Sequence, residues 1–331
     1  MASKYNPVIK RIEERDECPE IVFRRGGDGF VEVVYGSAKA SADKSIKDII
    51  LSSMRVIVIN ATVKTMAIKG LIETVPGGES LLYVYDPLLV TESKLVSIVS
   101  DIEMALASVT DSVVETRFIR LPIAFDHSLV KKSIEKYVNE INPTAVNCKD
   151  NSNLAYVASY NGMSVNELKK RFVGTEWLVS MVGFFPGLPY YYPLNPAGAI
   201  TCPKYNPARS WTPEGTVDLA DYCSTIFGVA SSGGYQLIGR TAPIFQANQK
   251  HKQYKESPAL FKPTDILQFY EASEQEVDGI YDEVAQGKYE YDIVGRRFSM
   301  KEWLAFYASK EDDAKELRKM QEAGRKATPA L

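Results

Sequence analysis

Histidine and cysteine are scarce in this sequence, and their scarcity limits the chemistry that it can carry. With two histidines among 331 residues, no Ser-His-Asp arrangement is legible, and a metal site would need scattered ligands, so none is expected. The four cysteines, Cys18, Cys148, Cys202 and Cys223, lie far apart and form no Cys-x-x-Cys pair. We therefore expect free thiols in a reducing compartment, and a cytoplasmic protein.

Long apolar runs and an excess of one charge are also missing. No apolar stretch approaches the roughly 18 residues that a membrane helix requires, and residues 1–7 lack the apolar centre of a signal peptide. The net charge is −3, and no basic stripe is interleaved with aromatic residues, so nucleic-acid binding has no support from composition. The glycines at 26–29 precede a strand pattern without Gly-Lys-Ser/Thr, which predicts a hairpin turn rather than a phosphate-binding loop.

The length of the chain and its hydrophobic patterns predict several regions. Residues 1–20 are polar and are expected to be a flexible lead-in. Residues 21–112 alternate between strand and helix patterns, which predicts an α+β domain around one sheet. Residues 113–272 contain helices followed by short strands between Gly and Pro turns, and these predict a small, mostly antiparallel β-barrel. Residues 273–331 form a C-terminal extension.

Two helices of these regions carry specific expectations. Residues 43–69 are predicted to be mostly helical, with an interruption near residues 56–60. A capping box from Ser299 to Glu302 predicts the start of a charged helix that runs to about residue 323. Its apolar positions become fewer towards the end, so we expect it first to pack on the barrel and then to be solvated or to meet a partner.

Unusual Gly, Pro, Arg and aromatic residues are concentrated in three blocks at residues 183–190, 204–215 and 232–241. In the second block, prolines stiffen a loop that carries Lys204 and Arg209. A stiff loop with cationic and amide groups can preorganise a binding site. The alternative is an ordinary structured loop with surface charges.

The strand pattern at residues 235–241 places Gln236 and Arg240 on one face. Arginine offers a planar fork of donors for a carboxylate or carbonyl group, and glutamine offers both a donor and an acceptor. This face would suit the wall of an anion-binding or amide-binding pocket. The alternative is an exterior face with a solvated arginine.

At these blocks the sequence resembles a known family. KYNPARSWTPEGTVDL (204–219) and SSGGYQLIGRT (231–241) resemble the first carboxyltransferase subdomain of urea carboxylase and urea amidolyase, also called allophanate hydrolase subunit 1-like. GFFPGLPY (183–190) is more similar to the B component of 5-oxoprolinase and the sporulation-kinase inhibitors. ETVPGGESLLYVYDP (73–87) matches the N-terminal domain of the family, and residues 287–302 are similar to the linker that follows this subdomain in urea carboxylase.

The resemblance implies an α+β fold class, in which a small N-terminal α/β domain precedes a cyclophilin-like β-barrel with inserted helices and a C-terminal helical extension. It implies a second carboxyltransferase subunit, allophanate hydrolase subunit 2-like, with the site between the two. It also implies a biotin carboxylase and a biotin carrier protein as partners. No cofactor is then bound covalently on this chain, because biotin is supplied by a partner.

The implied function is the transfer of CO₂ from carboxybiotin to a nitrogen of urea or of a similar small amide or guanidine compound, by a subunit that is inactive alone. Residues 218–221 and 183–190 depart from the urea carboxylase pattern. Two alternatives stay open: a subunit of an ATP-dependent lactam hydrolase of the 5-oxoprolinase type, and a non-enzymatic binding or inhibitory module. The implied site residues are Arg240, Arg209 and Lys204 as catalytic groups, and Asn206, Gln236, Tyr190, Tyr205, Gly233, Gly234 and Thr241 as substrate-binding groups.

Overall fold

The computed structural model describes residues 6–15, 18–36 and 44–331, and the chain divides into two compact units. The first unit contains the described residues up to Val114 together with Phe298–Leu304. The second contains Glu115–Arg297 and Ala305–Leu331. None of the helices in the described ranges combines the length and the apolar character needed to cross a membrane.

An antiparallel sheet of five strands, in the order β1-β2-β3-β5-β4, and two helices make up most of the first unit, which also includes the start of a later helix at residues 300–304. This confirms the prediction of strands and helices around one sheet. One expectation differs, because part of the supposed flexible lead-in forms β1 and pairs with β2. The elements are β1 (Val8–Ile12), β2 (Ile21–Arg25), β3 (Phe30–Tyr35), α1 (Ile46–Thr65), β4 (Leu71–Pro76), β5 (Ser80–Tyr85) and α2 (Glu92–Ala105).

Helix α1 is continuous, so the predicted interruption near residues 56–60 is wrong. The predicted interruption contains a β-branched run from Val56 to Ile59, and such residues have a low intrinsic helix propensity. In the structure Val56, Ile59 and Val63 are fully buried in the core of the first unit. Tertiary packing therefore stabilises a helix that the local sequence alone disfavours.

A buried ion pair joins the two helices of the first unit. The Arg55 Nε donates to Glu103 Oε2 at 2.9 Å, and its Nη2 donates to the main-chain oxygens of Glu103 at 2.8 Å and of Leu106 at 2.9 Å. The Tyr35 hydroxyl donates to the other oxygen of the carboxylate, Oε1, at 2.5 Å. Burial raises the pKa of Glu103, while the Arg55 charge opposes that shift.

A closed barrel of seven strands forms the second unit. The strands follow the order β13-β10-β11-β8-β7-β14-β6, and β6 pairs with β13 to complete the ring. The β14–β6 pairing is parallel and the other registered pairings in the ring are antiparallel, which confirms a mostly antiparallel barrel. The strands of the unit are β6 (Val113–Phe125), β7 (Glu176–Val182), β8 (Pro189–Pro193), β9 (Arg209–Thr212), β10 (Thr216–Ala220), β11 (Cys223–Ile226), β12 (Ser231–Gly233), β13 (Gln236–Arg240), β14 (Ile266–Glu271) and β15 (Asp292–Ser299).

Two strands of this unit, β9 and β12, form a separate ribbon, and β15 lies next to β6 in the barrel sheet. Alternate side chains of the barrel strands point inward, where Ile119, Trp177 and Val217 are fully buried in one apolar core. The helices inserted between β6 and β7 are α3 (Ser128–Glu140), α4 (Leu154–Tyr160) and α5 (Val165–Val173). The later helices are α6 (Glu274–Ala285), α7 (Met300–Ser309) and α8 (Glu311–Ala327).

The charged C-terminal helix differs from the prediction in two ways. It is two helices, α7 and α8, that are separated at Lys310. The expectation that its end is solvated is also wrong, because α8 buries one face as far as its last turns. There the Gln321 side chain is 1% exposed, and its Nε2 donates to Asn161 Oδ1 at 2.9 Å and to the Ala199 oxygen at 2.7 Å. A polar side chain that is fully hydrogen-bonded can extend a buried face where apolar residues run out.

Candidate functional site

A pocket of about 380 Å³ in the barrel unit brings the three sequence blocks together. The first block reaches it through the loop between β7 and β8, the second through the segment before β9, and the third through β12 and the residues that follow it. Strands β10 and β11 contribute further side chains. The lining consists of Phe184, Leu188, Tyr190, Lys204, Tyr205, Ala208, Asp218, Thr225, Phe227, Ser232, Gly233, Gly234 and Tyr235.

Five of the predicted site residues line this pocket: Lys204, Tyr190, Tyr205, Gly233 and Gly234. The Lys204 side chain is exposed, and its Nζ lies 5.3 Å from the centre of the Tyr235 ring. Burial raises the pKa of Tyr190 to about 12, so its phenol keeps its proton at neutral pH. The pocket therefore combines an ammonium group with neutral phenol rings.

Tyr205 contributes its ring to the pocket wall, while its hydroxyl is bonded inside the protein. The hydroxyl donates to Asn153 Oδ1 at 2.7 Å and accepts from the Cys148 thiol at 3.4 Å. The Tyr137 ring meets the Tyr205 ring edge-on, with 4.8 Å between the ring centres. These contacts fix the orientation of the ring.

Arg209 lies behind the pocket wall, with 1% of its side chain exposed. Its guanidinium stacks on the Tyr205 ring, 4.4 Å from the ring centre. Its Nε and Nη2 donate to Thr212 Oγ1 at 3.3 and 3.2 Å, and its Nη1 donates to the Tyr235 main-chain oxygen. Arg209 thus joins two walls of the pocket and uses its donors within the protein itself.

Gln236 and Thr241 lie outside this lining, and their polar atoms are used internally. Gln236 is fully buried; its Nε2 donates to the Pro203 oxygen at 2.8 Å, and its Oε1 accepts from Asn147 Nδ2 at 2.9 Å. The Thr241 hydroxyl donates to the Pro122 oxygen at 2.5 Å. Asn206 is exposed and is also outside the residues that line the pocket.

Arg240 lies in a separate polar cluster rather than in the pocket. Its Nη1 donates to Asp278 Oδ1 at 2.8 Å, its Nε donates to the Glu214 oxygen at 3.3 Å, and its guanidinium lies 3.8 Å from the centre of the Tyr281 ring. Gln236 and Arg240 stand at opposite ends of β13, which at about 3.3 Å per residue are some 13 Å apart. Sharing one face of a strand therefore did not bring these two side chains into one site.

The same cluster contains a histidine and two carboxylates whose ligand atoms lie within 4.8 Å of one another, namely His127, Glu274 and Asp278. The His127 Nδ1 accepts the Leu129 main-chain N–H at 3.1 Å, so the Nε2 carries the proton of the neutral ring and faces Asp278 Oδ1 at 3.1 Å. A cation on Nε2 would require the ring to lose that proton as well, next to the Arg240 charge. The group fits an ion-pair cluster better than a cation site.

Asp218 is the main pocket residue that the sequence analysis missed. Its side chain is 1% exposed, and Thr225 Oγ1 donates to its Oδ1 at 2.5 Å. Burial raises the pKa of this carboxyl to about 7. The available signal was a carboxylate inside the strand pattern Thr216–Ala220, because a charge is costly to bury and such residues are concentrated at functional sites.

The pocket can hold a small polar group against aromatic walls. An ammonium can donate to an oxygen, and a carboxyl that titrates near neutral pH can accept an N–H group or take up a proton. The width of the pocket depends on Gly233, because a Cβ there would lie 2.7 Å from the Phe227 ring. These features suit an amide-like or urea-like compound.

Comparisons with known proteins place these features in a family. The family model "Carboxyltransferase domain, subdomain C and D" matches residues 34–254. A putative urea carboxylase from Emericella nidulans is 27% identical over 325 residues, which are 97% of this chain and 26% of that protein. The B component of 5-oxoprolinase from Bacillus subtilis is 26% identical over 224 residues, which are 65% of this chain and 82% of that protein.

A solved structure agrees with the sequence matches. The K. lactis urea amidolyase superposes with a TM-score of 0.83 at 25% identity, and the match covers 98% of this chain and 20% of that chain. This chain thus spans between 16% and 30% of the urea carboxylases and urea amidolyases that it matches. Because the family model matches more than half of its length, the protein belongs to the carboxyltransferase C and D subdomain family, and is homologous to urea carboxylase, urea amidolyase and the B component of 5-oxoprolinase.

Proposed function

We propose that this chain is one subunit of a biotin-dependent carboxyltransferase that carboxylates a nitrogen of urea or of a similar small amide or guanidine compound. The observation that carries the proposal is the extent of the similarity. The match to the putative urea carboxylase covers 97% of this chain, whereas the match to the 5-oxoprolinase component covers 65%. The match to the putative urea carboxylase therefore includes residues beyond position 254, where the family model ends.

Partners are part of the proposal, because this chain spans only 26% of the putative urea carboxylase. We infer that the reaction also requires a biotin carboxylase, a biotin carrier protein and a second carboxyltransferase subunit, allophanate hydrolase subunit 2-like. The chain alone would then be inactive. The cyclophilin-like assignment of the barrel stays a prediction, and the closed, mostly antiparallel ring is compatible with it. A cytoplasmic location is supported by the four cysteines, which are all free and buried.

The pocket residues fit the ureido ring of biotin in their chemistry. Apolar walls from Leu188 and Phe227 suit the faces of a ring, the Lys204 ammonium suits its oxygen, and the Asp218 carboxylate suits its N–H groups. When bound, carboxybiotin supplies the carboxyl group that is transferred. Lys204 would stabilise negative charge on an oxygen, and Asp218 would take up the proton that the acceptor nitrogen loses and return it to the ring nitrogen that gives up the carboxyl group.

The proposal gives different roles to Arg209 and Arg240, the two arginines that were predicted to be catalytic. Arg209 acts as a positioning residue, since its donors are bonded to Thr212 and to the Tyr235 main chain. The catalytic role of Arg240 stays a prediction, as do the substrate-binding roles of Asn206, Gln236 and Thr241. Arg240 is bonded to Asp278 and stacked on Tyr281, so its substitution tests a different part of the barrel from that of Lys204.

A second candidate is a subunit of a lactam hydrolase of the 5-oxoprolinase type that uses no biotin. It is favoured by one observation: the match covers 82% of the Bacillus subtilis protein, far more than the share of the fungal protein that is matched. A lactam ring is also an amide that the same pocket chemistry suits. The two candidates differ in the partner and in the source of the reacting carbon.

Reconstitution with candidate partners tests the proposal. The full chain is mixed with a second carboxyltransferase subunit, a biotin carboxylase and a biotinylated carrier, and acceptor-dependent fixation of labelled bicarbonate is measured. We expect fixation with urea, an amide or guanidine as the acceptor. The rate of fixation should fall at least tenfold in Lys204→Ala. It should not fall in the control Lys252→Ala, whose side chain is 63% exposed and pairs with Glu290. Lactam-dependent ATP hydrolysis without biotin would support the second candidate, and fixation that is unchanged in Lys204→Ala would refute the site.

A further inference from the structure

Phe184 is the exposed aromatic side chain at the mouth of the pocket. It is 75% exposed, whereas Leu188, Phe227 and Tyr205 in the same lining are buried, at 2%, 3% and 5%. Its ring meets the Phe185 ring edge-on, with 4.7 Å between the ring centres. A large apolar side chain in this position leaves one ring face open beside the cavity.

The main chain at Phe184 is strained as well, because its φ is +70°, in the left-handed region that non-glycine residues rarely adopt. Hydrogen bonds within the loop hold this conformation: Gly183 N donates to the Leu188 oxygen at 3.0 Å, and Phe185 N donates to the Gly183 oxygen at 2.9 Å. Gly187 closes the loop against Phe245, since a Cβ at Gly187 would lie 2.6 Å from that ring. The loop is therefore built to present the Phe184 side chain at a defined place.

Neither the exposed ring of Phe184 nor its left-handed backbone favours folding. Left-handed backbone at a non-glycine residue costs on the order of 1 kcal/mol, and an exposed ring gains little from burial. Strain that the surroundings maintain without a gain in packing is typical of positions that contact a ligand. The pocket already has polar groups for the edge of a small amide, and among the aromatic side chains that line it Phe184 is the most exposed.

We propose that Phe184 is the ring-binding residue of this pocket, and that its face packs on a flat cyclic urea whose polar edge is held by Lys204 and Asp218. The ligand class, a ureido ring, rests on the proposed function, whereas the position of Phe184 does not. An acyclic urea has little apolar face to cover. Phe184 should therefore contribute to the binding of cyclic ureas and contribute little to that of urea itself.

Binding to the full chain without partners tests this proposal. The probes are 2-imidazolidone, free biotin and urea, and their dissociation constants are measured by NMR titration. We expect Phe184→Gly to weaken both cyclic probes by about tenfold, the upper range for loss of one stacked ring, and to leave urea within about twofold. Phe184→Tyr keeps a ring and should bind like the parent. Phe306→Ala, which removes a 41% exposed ring elsewhere in the unit, is the matched control.

Glycine is chosen because it accepts a positive φ without strain, so Phe184→Gly should keep or raise the melting temperature. A lower melting temperature would mean that the ring serves folding, and would overturn the proposal. Equal dissociation constants for the cyclic probes in Phe184→Gly and the parent would overturn it too, as would no saturable binding of either cyclic probe. Failure of carboxylation in the reconstituted complex, with the binding difference intact, would instead refute the proposed function.

Discussion

Replacing Asp218 by asparagine should remove a specific pH dependence from the stability of the barrel unit. The substitution keeps the shape of the side chain and removes its ability to ionise. Asp218 is 1% exposed within β10, and the Thr225 hydroxyl donates to it. Burial raises the pKa of its carboxyl to about 7, far above that of an aspartate in an unfolded chain, which is about 3.9.

The sign and size of the effect follow from this difference in pKa. Between about pH 4 and pH 7 the native state holds a proton that the unfolded chain has lost. The free energy of unfolding therefore falls as the pH rises through this interval, at about 1.4 kcal/mol per pH unit and by about 4 kcal/mol in total. The amide of the variant has no such dependence. The stability of Asp218→Asn relative to the parent should thus increase by about 2 to 3 kcal/mol between about pH 5 and pH 8.

Denaturant unfolding across this pH range, followed by tryptophan fluorescence, measures the difference. Trp177 is fully buried in the barrel core and Trp211 lies in the same unit, so two of the three tryptophans report on the unit that contains Asp218, while Trp303 belongs to the first unit. Asp221→Asn is the control, because Asp221 is exposed and its φ of 49° is one that asparagine tolerates. A difference between Asp218→Asn and the parent that stays constant from about pH 5 to pH 8 would refute a buried, titrating carboxyl at this position.

Two further substitutions test the buried charges. Arg209→Lys should destabilise the barrel unit by about 1–3 kcal/mol in denaturant unfolding and should weaken probe binding. The reason is that one ammonium cannot bond both Thr212 and the Tyr235 main chain as the planar guanidinium does. Stability and binding equal to those of the parent would contradict the positioning role of Arg209. Arg55→Met should destabilise the first unit by about 3–5 kcal/mol, since it leaves the Glu103 carboxylate buried without its partner. Hydrogen exchange of the amides in β3 and β5 measures this loss, and Arg55→Met combined with Glu103→Leu should restore part of it; no recovery in the double variant would count against the ion-pair explanation.

Much of the fold could be predicted because strand and turn patterns are local. The alternation in β13 and the Gly and Pro turns around it were sufficient for a mostly antiparallel barrel. The continuity of α1 was not predictable in this way, because Val56 and Ile59 have low helix propensity and their burial in the core is not a local property. The burial of Gln321 was missed for a similar reason, since its partners Asn161 and Ala199 are remote in sequence.

The sequence predicted which blocks meet at the site, but it did not predict which of their residues line the pocket. The blocks that contain Lys204, Tyr190 and Gly233 do meet in one pocket. Alternation along β13 carries no information on which end of a strand faces a cavity, so Gln236 and Arg240 were grouped although their hydrogen-bond partners differ. Asp218 was missed because a single carboxylate in a short strand does not reveal whether it is buried.

Strand β6 has a consequence for the order in which the chain folds. It pairs with β13 through Phe125 and Gly239, and with β14 from Phe118 and Ile266 onward, so both partners are synthesised more than a hundred residues later. On the ribosome the five-stranded sheet of the first unit can form while β6 still has two open edges. Pairing over such distances is slow, and unpaired strands are the species that aggregate. Expression of this protein should therefore depend on chaperones and temperature more strongly than its native packing suggests.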